Sequence, residues 1–167
     1  LYNMRRLITI LAASFVCLFA NGQDLKQSLL DEFKGVRTTL SYEYVITGVQ
    51  DITVEGKAVV QNECFRIEGA GLLILCDSQN VWTLDMEGKE AYVEAAGPMN
   101  YADYLLALEK NEDGSLEGSA AEPNSDTIIN FRLFDMVKTP VSGDLSDFVP
   151  PASVFNDGSD WIITDLR

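Results

Sequence analysis

CFRIEGAGLLILCDSQNVWTLDMEGKEAYVEAA, residues 64–96, is cut by three turn signals into four short runs of strand composition, and the rest of the chain flanks or covers the sheet they make. Gly69-Ala70-Gly71 lies between an alternating run (Phe65, Ile67) and a continuous apolar one (Leu72 to Leu75), the pattern of a hairpin. Setting Glu68 opposite Leu72 pairs Ile67 with Leu73, Phe65 with Leu75 and Cys64 with Cys76. The Asp77-Ser78-Gln79-Asn80 turn then places Leu75 opposite Trp82 and Leu73 opposite Leu84. Gly88 stands first in a two-residue Gly88-Lys89 loop, as a type II′ turn requires, which sets Leu84 opposite Val93 and Trp82 opposite Ala95. Together the turns predict two apolar rows, Phe65-Leu75-Trp82-Ala95 and Ile67-Leu73-Leu84-Val93, on one face of an antiparallel meander. The face behind is mixed (Arg66, Ile74, Thr83, Glu94; Glu68, Leu72, Asp85, Tyr92), so one side needs a cover and the other meets water.

Upstream, Thr38 to Thr47 alternates Tyr42, Tyr44 and Ile46 with Ser41, Glu43 and Val45, the period of a strand. Gly48 to Asp51 turns the chain into a second long strand, from Ile52 to Glu68 with a bulge at Gly56. Before them Asp24 caps a helix ended by Gly35, with Gln27 at the capping-box position and Leu25, Leu29, Leu30 and Phe33 on one face. After the meander, Gly97-Pro98 breaks the sheet and Asn100 caps a second helix, in which Tyr101, Tyr104, Leu105 and Leu108 fall at i, i+3, i+4 and i+7. Asn111 to Asp126 is an acidic, Gly/Ser-rich loop containing a weak edge strand at Leu116 to Glu122. Thr127 to Lys138 returns to strand with Ile129, Phe131 and Leu133 on one face, Thr139 to Gly158 is a Pro-punctuated crossing, and Trp161 to Thr164 is a short last strand. The class this predicts is α+β, mostly β.

The chain has 167 residues. Arg5 and Arg6, the apolar run Leu7 to Ala20 and the small residues before Gln23 read as a signal peptide over residues 1–22, leaving residues 23–167 as a single domain. Cys17 follows Val16 where a lipoprotein site wants Gly, Ala or Ser, so lipidation there is not expected. The loss of Arg5 and Arg6 leaves ten basic residues against 26 acidic ones, a net charge of −16. Phosphate backbones repel such a surface, so nucleic acid is not an expected partner. Cys64 and Cys76 remain, and the register sets them face to face on neighbouring strands; a disulfide and two buried free thiols are the alternatives.

Chemistry is conspicuous by what the chain lacks. It has no histidine, so His-based triads and His-ligated metals are excluded, and neither Gly-x-Ser-x-Gly nor Walker nor Cys-x-x-Cys spacing occurs. Asn111 to Ser115 and Asn156 to Asp160 share only composition with calcium loops and read as turns. No catalytic residue, metal or cofactor is expected.

The opening helix, Cys64-Phe65-Arg66-Ile67-Glu68, Asp77 to Asp85, Phe148-Val149-Pro150-Pro151 and the terminal Ile163 to Arg167 together resemble the outer-membrane lipoprotein carrier (LolA-like) family. The resemblance spans roughly Leu25 to Arg167 and departs at Gln61-Asn62-Glu63, where the family's basic residue and Pro are absent. It implies a curved antiparallel sheet forming an incomplete, half-open β-barrel with helices over the concave face. It also implies a non-enzymatic, monomeric periplasmic carrier that shuttles acylated lipoproteins or other lipid from an inner-membrane releasing transporter to an outer-membrane acceptor. On that reading Phe65, Ile67, Leu73, Leu75, Trp82 and Leu84 line the lipid-binding site, with Tyr104, Leu105 and Leu108 as its lid. A dry core of the same residues is the competing reading. The alternative function is an envelope interaction or sensor module that binds a protein partner.

Overall fold

A computed structural model describes residues 31–47, 51–97, 105–121 and 127–167. Ten strands form one sheet: β1 (Val36–Thr47), β2 (Ile52–Gln61), β3 (Cys64–Gly69), β4 (Leu72–Asp77), β5 (Asn80–Asp85), β6 (Glu90–Ala95), β7 (Leu105–Lys110), β8 (Leu116–Ala121), β9 (Ile128–Pro140) and β10 (Ile162–Asp165). Their spatial order is β10-β6-β5-β4-β3-β2-β1-β9-β8-β7. Every neighbouring pair is antiparallel except β10 with β6, which is parallel and makes the sheet mixed.

This corrects the expected fold. The sheet is open, with β10 at one edge and β7 at the other, and does not close toward a barrel. Among the described residues only 31–33, Ser146–Phe148 (a 3-10 turn) and α1 (Ala152–Phe155) are helical, too little to cover a sheet face. The rest of the expected first helix lies outside the described residues, as do Tyr101 and Tyr104 of the second. Leu105 and Leu108 of that second helix stand in strand β7 instead. Leu105-Leu106-Ala107-Leu108 is apolar at consecutive positions and so fits either period; pairing with β8 decides for the strand.

Turn chemistry explains the other differences. Asn62, at φ 51, and Glu63 make a tight turn that sets Gln61 opposite Cys64, so the single long strand expected from Ile52 to Glu68 is β2 and β3. The register runs unbroken past Gly56; the bulge is in β9, where Asp135 has φ 53 and the pairing shifts opposite Leu40. Ala70 and Gly71 both have positive φ (51 and 78), the signature of a two-residue type I′ hairpin, so Gly69 rather than Glu68 faces Leu72. That one-residue slip turns β3 over relative to β4. The β4–β5 register is the expected one, with Leu75 opposite Trp82 and Leu73 opposite Leu84. At the next turn Asp85, not Glu87, faces Glu90, because its carboxylate accepts from the Glu87 and Gly88 amides at 3.0 and 2.8 Å and holds a four-residue loop. A slip of two residues keeps the faces and only moves Trp82 opposite Val93.

The result is a sheet with two apolar faces. One face gathers Leu40, Tyr42, Tyr44 and Ile46 of β1, Val54, Ala58 and Val60 of β2, Phe65 and Ile67 of β3, Leu72, Ile74 and Cys76 of β4, Leu116 of β8 and Ile129 and Leu133 of β9. The other packs Leu73, Leu75, Leu84 and Ala91 under Val154, with Trp82 and Trp161 at its margin. Strand β4 is therefore buried on both sides from Leu72 to Cys76, which is what its unbroken apolar run encodes.

The C-terminal segment is fastened across this second face. Buried Gln61 both donates to the Ser142 carbonyl and accepts from the Ser142 amide, at 2.8 Å each. Fully buried Phe148 lies under the Arg37 guanidinium, 5.2 Å from ring centroid to Cζ, and Arg37 also pairs with Asp147. Strand β10 then adds to β6, its Ile162 amide donating to the Lys89 carbonyl at 2.8 Å.

Candidate functional site

The six sheet residues expected to share one apolar wall are divided between the two faces. Phe65 and Ile67 lie on the β1–β9 face, whereas Leu73, Leu75, Trp82 and Leu84 lie under the C-terminal segment. Leu73, Leu75 and Leu84 are buried by that segment and their own neighbours, an ordinary packed core. Leu108, half-buried in β7, packs against the first face from within the sheet and is not a lid over it.

The face that holds Phe65 and Ile67 is the wider surface. Among the described residues, Phe33 is the one buried member of its cluster that does not come from the sheet. The segment carrying Phe33 is tied down at its neighbour Glu32, whose carboxylate pairs with Lys110 of β7 and Lys138 of β9. Those two ammonium groups hold the Glu32 carboxyl below its ordinary value. The exposed pairs bridge strands on either side of β8, so the latch spans the β7–β9 end of the face.

Two tyrosines set the polarity of this face. Tyr42 lies flat across β2 and β3, over the positions of Gly56 and Gly69, and its hydroxyl donates to the Glu68 carbonyl at 3.1 Å. Glycine is required at both positions because a Cβ at Gly56 would run into the Glu68 carbonyl and the Tyr42 hydroxyl, and one at Gly69 into that hydroxyl and the Glu55 carbonyl. Tyr44 stacks on Tyr42, centroids 5.7 Å apart and planes 11° from parallel. Its hydroxyl is buried and has no hydrogen-bond partner among the described residues; the same holds for Thr38 Oγ1 farther along β1. Burial pushes both phenols up from the ordinary tyrosine value, most strongly Tyr44.

The cysteines do not face each other. Cys64 is opposite Asp77 and Cys76 opposite Phe65, so the two side chains leave the sheet on opposite sides, and both are free and buried. The disulfide expectation rested on the three-residue turn that the type I′ hairpin replaces. Burial raises both thiols, Cys76 to about 11, which suppresses the reactive thiolate.

Asn111 to Ser115 is the β7–β8 turn. Asp113 accepts from the Ser115 amide and hydroxyl at 2.9 and 2.6 Å, and Gly114 takes φ 82. Asn156 to Ser159 is a second turn, and among the described residues no group of three or more His, Cys, Asp or Glu side chains is placed to hold a metal. No helix among the described residues is long and apolar enough to cross a membrane.

Sequence reasoning missed Tyr44, Phe33 with Glu32, and Gln61 as site or fastening residues. The Tyr42-Glu43-Tyr44 alternation marked the two phenols as sharing a face, but the Glu32 latch joins residues 78 and 106 positions apart and has no local signal.

No family model matches the chain, and no curated protein matches it. Among solved structures, the chain is similar to an uncharacterized conserved protein from Thermus thermophilus, at 7% identity and a TM-score of 0.49, over 85% of this chain and 99% of that one. A likeness of that size says nothing about function.

Proposed function

We propose that the protein is a non-enzymatic carrier that shields acyl chains, of an acylated protein or another lipid, against the β1–β9 face of its sheet. The observation that carries this reading is the wide apolar face to which, among the described residues, Phe33 is the one buried side chain added from outside the sheet, with Ala96 at its margin. The resemblance of the strand-and-turn pattern to lipoprotein carriers names the ligand class, and the leader-like residues 1–22 favour the periplasm as its setting. Burying Phe33 contributes about 1.5–3 kcal/mol and each exposed ion pair of Glu32 about 0–1 kcal/mol. About six methylenes, at about 0.8 kcal/mol each, offset that cover. A chain longer than this outweighs the contacts of Phe33 and Glu32, while a modest surplus still lets the cargo leave.

Native mass spectrometry of protein isolated from its envelope, together with uptake of a fluorescent acyl probe, tests the proposal. Bound lipid or acylated peptide supports it. Absence of both, with no probe uptake, overturns it.

A second reading rests on the open edge at β10, where Ile162, Ile163 and Leu166 are exposed. An unpaired edge with apolar side chains accepts an added strand of a protein partner. Stoichiometric capture of one protein by the delipidated chain, lost on Ile162→Lys, would favour the interaction module over the carrier.

A further inference from the structure

The two stacked tyrosines look equivalent in sequence and are not equivalent in the fold. Tyr42, Gly56 and Gly69 form one cross-strand row, so the Tyr42 hydroxyl reaches the β3 backbone and donates to Glu68. Tyr44 pairs with Val54 one step along, and β3 has already ended at Gly69, so that row runs out of strand carbonyls. The Tyr44 hydroxyl therefore sits inside an apolar cluster, on a side chain that is 3% exposed, with no partner among the described residues. Burying a phenol without a hydrogen bond destabilises a fold, and phenylalanine would fill the same space without that cost.

Building on the carrier reading, we infer that Tyr44 fixes the polar end of the bound chain, its hydroxyl donating to the carbonyl oxygen of an acyl ester or amide. The cross-strand neighbours of Tyr44 are Val54 and Phe131, with Tyr42 stacked beside it, and none carries positive charge. A carboxylate placed there would be an unpaired buried anion, which the site disfavours; a neutral carbonyl needs only the donor that Tyr44 supplies. Burial also raises the phenol, so it keeps its proton throughout the physiological range. Thr38 Oγ1, the other buried hydroxyl without a partner among the described residues, is six positions along β1, about 20 Å away, and belongs to no common site with Tyr44.

The test compares two probes of matched carbon number, methyl dodecanoate and tridecane, displacing a fluorescent acyl probe from wild type and from Tyr44→Phe. Wild type prefers the ester beyond its hydrocarbon match by about tenfold, equivalent to about 1.4 kcal/mol, and Tyr44→Phe loses the preference while keeping its affinity for tridecane. The ligand-free variant melts no lower than wild type, because the lost hydroxyl had no partner to lose. An ester preference retained by Tyr44→Phe overturns the assignment of Tyr44 and leaves the carrier reading standing, as does a lower melting temperature of the ligand-free variant. Failure of wild type to take up either probe overturns the carrier reading and this inference with it.

Discussion

Gly69→Ala tests the packing on which the candidate site is built. A Cβ at Gly69 falls deep inside the Tyr42 hydroxyl, with the ring Cζ at 3.3 Å and the Glu55 carbonyl oxygen at 2.9 Å. The phenol must swing away, giving up its bond to Glu68, worth about 1 kcal/mol, and its stack on Tyr44, worth about 0.5–1.5 kcal/mol. Overpacking adds about 1–3 kcal/mol, and alanine recovers about 0.5–1 kcal/mol over glycine within a strand. The net expectation is a loss of about 1.5–5 kcal/mol, read as a lower urea midpoint at unchanged slope. Repeating the substitution on Tyr42→Phe removes the clashing oxygen while the Glu55 carbonyl still crowds the new Cβ, so the cost of the alanine falls by about 1 kcal/mol, the worth of the hydroxyl's bond, and the two changes couple by about that amount. An equal cost in both backgrounds would refute the placement of Tyr42 over Gly69, and with it the row argument that distinguishes Tyr42 from Tyr44.

Three further outcomes follow from the same contacts. Glu32→Gln lowers stability by about 0.5–1 kcal/mol at neutral pH; because the native carboxyl titrates below its ordinary 4.5, this contribution is present above that pH, is lost as pH falls through the lowered native value, and shrinks in 1 M salt. A deficit that persists at low pH would mean Glu32 acts by packing, not charge. Cys64 and Cys76 resist a maleimide at pH 7 in the folded protein and both react after unfolding without reductant, as counted by mass spectrometry; a protein with no titratable thiol when unfolded contradicts the register. Gln61→Ala leaves the Ser142 amide and carbonyl unpaired, costs about 1–3 kcal/mol, and speeds hydrogen exchange in residues 142–148 before the rest of the sheet; uniform acceleration across the sheet would mean the segment is not separately fastened.

The four strands between Cys64 and Ala96 were legible because each is bounded by residues with a conformational reason to turn: Ala70-Gly71, Asp77 to Asn80, and Asp85 with Gly88. Their faces were not. Loop lengths of two and three residues at Gly69-Ala70-Gly71 are both compatible with the composition, yet they place Phe65 and Ile67 on opposite sides of the sheet relative to Leu73 and Leu75. The continuous run Leu72 to Cys76 already argued for two covered faces, and the expectation of a single apolar wall set that signal aside. Asn62, in the polar Gln61-Asn62-Glu63 between two apolar stretches, was likewise a turn residue read as continuous strand.

By itself the sequence determined the class of local structure: mostly strands, their approximate bounds, the absence of histidine chemistry, and an apolar surplus that must be buried somewhere. Only the tertiary structure decided which apolar residues are buried together. That depends on hydrogen-bonded register, on β9 reaching back to β1, and on the C-terminal segment occupying the second face through Gln61, Phe148 and β10. These are long-range pairings whose partners lie about 70 to 110 positions apart, set by steric fit that no local pattern records.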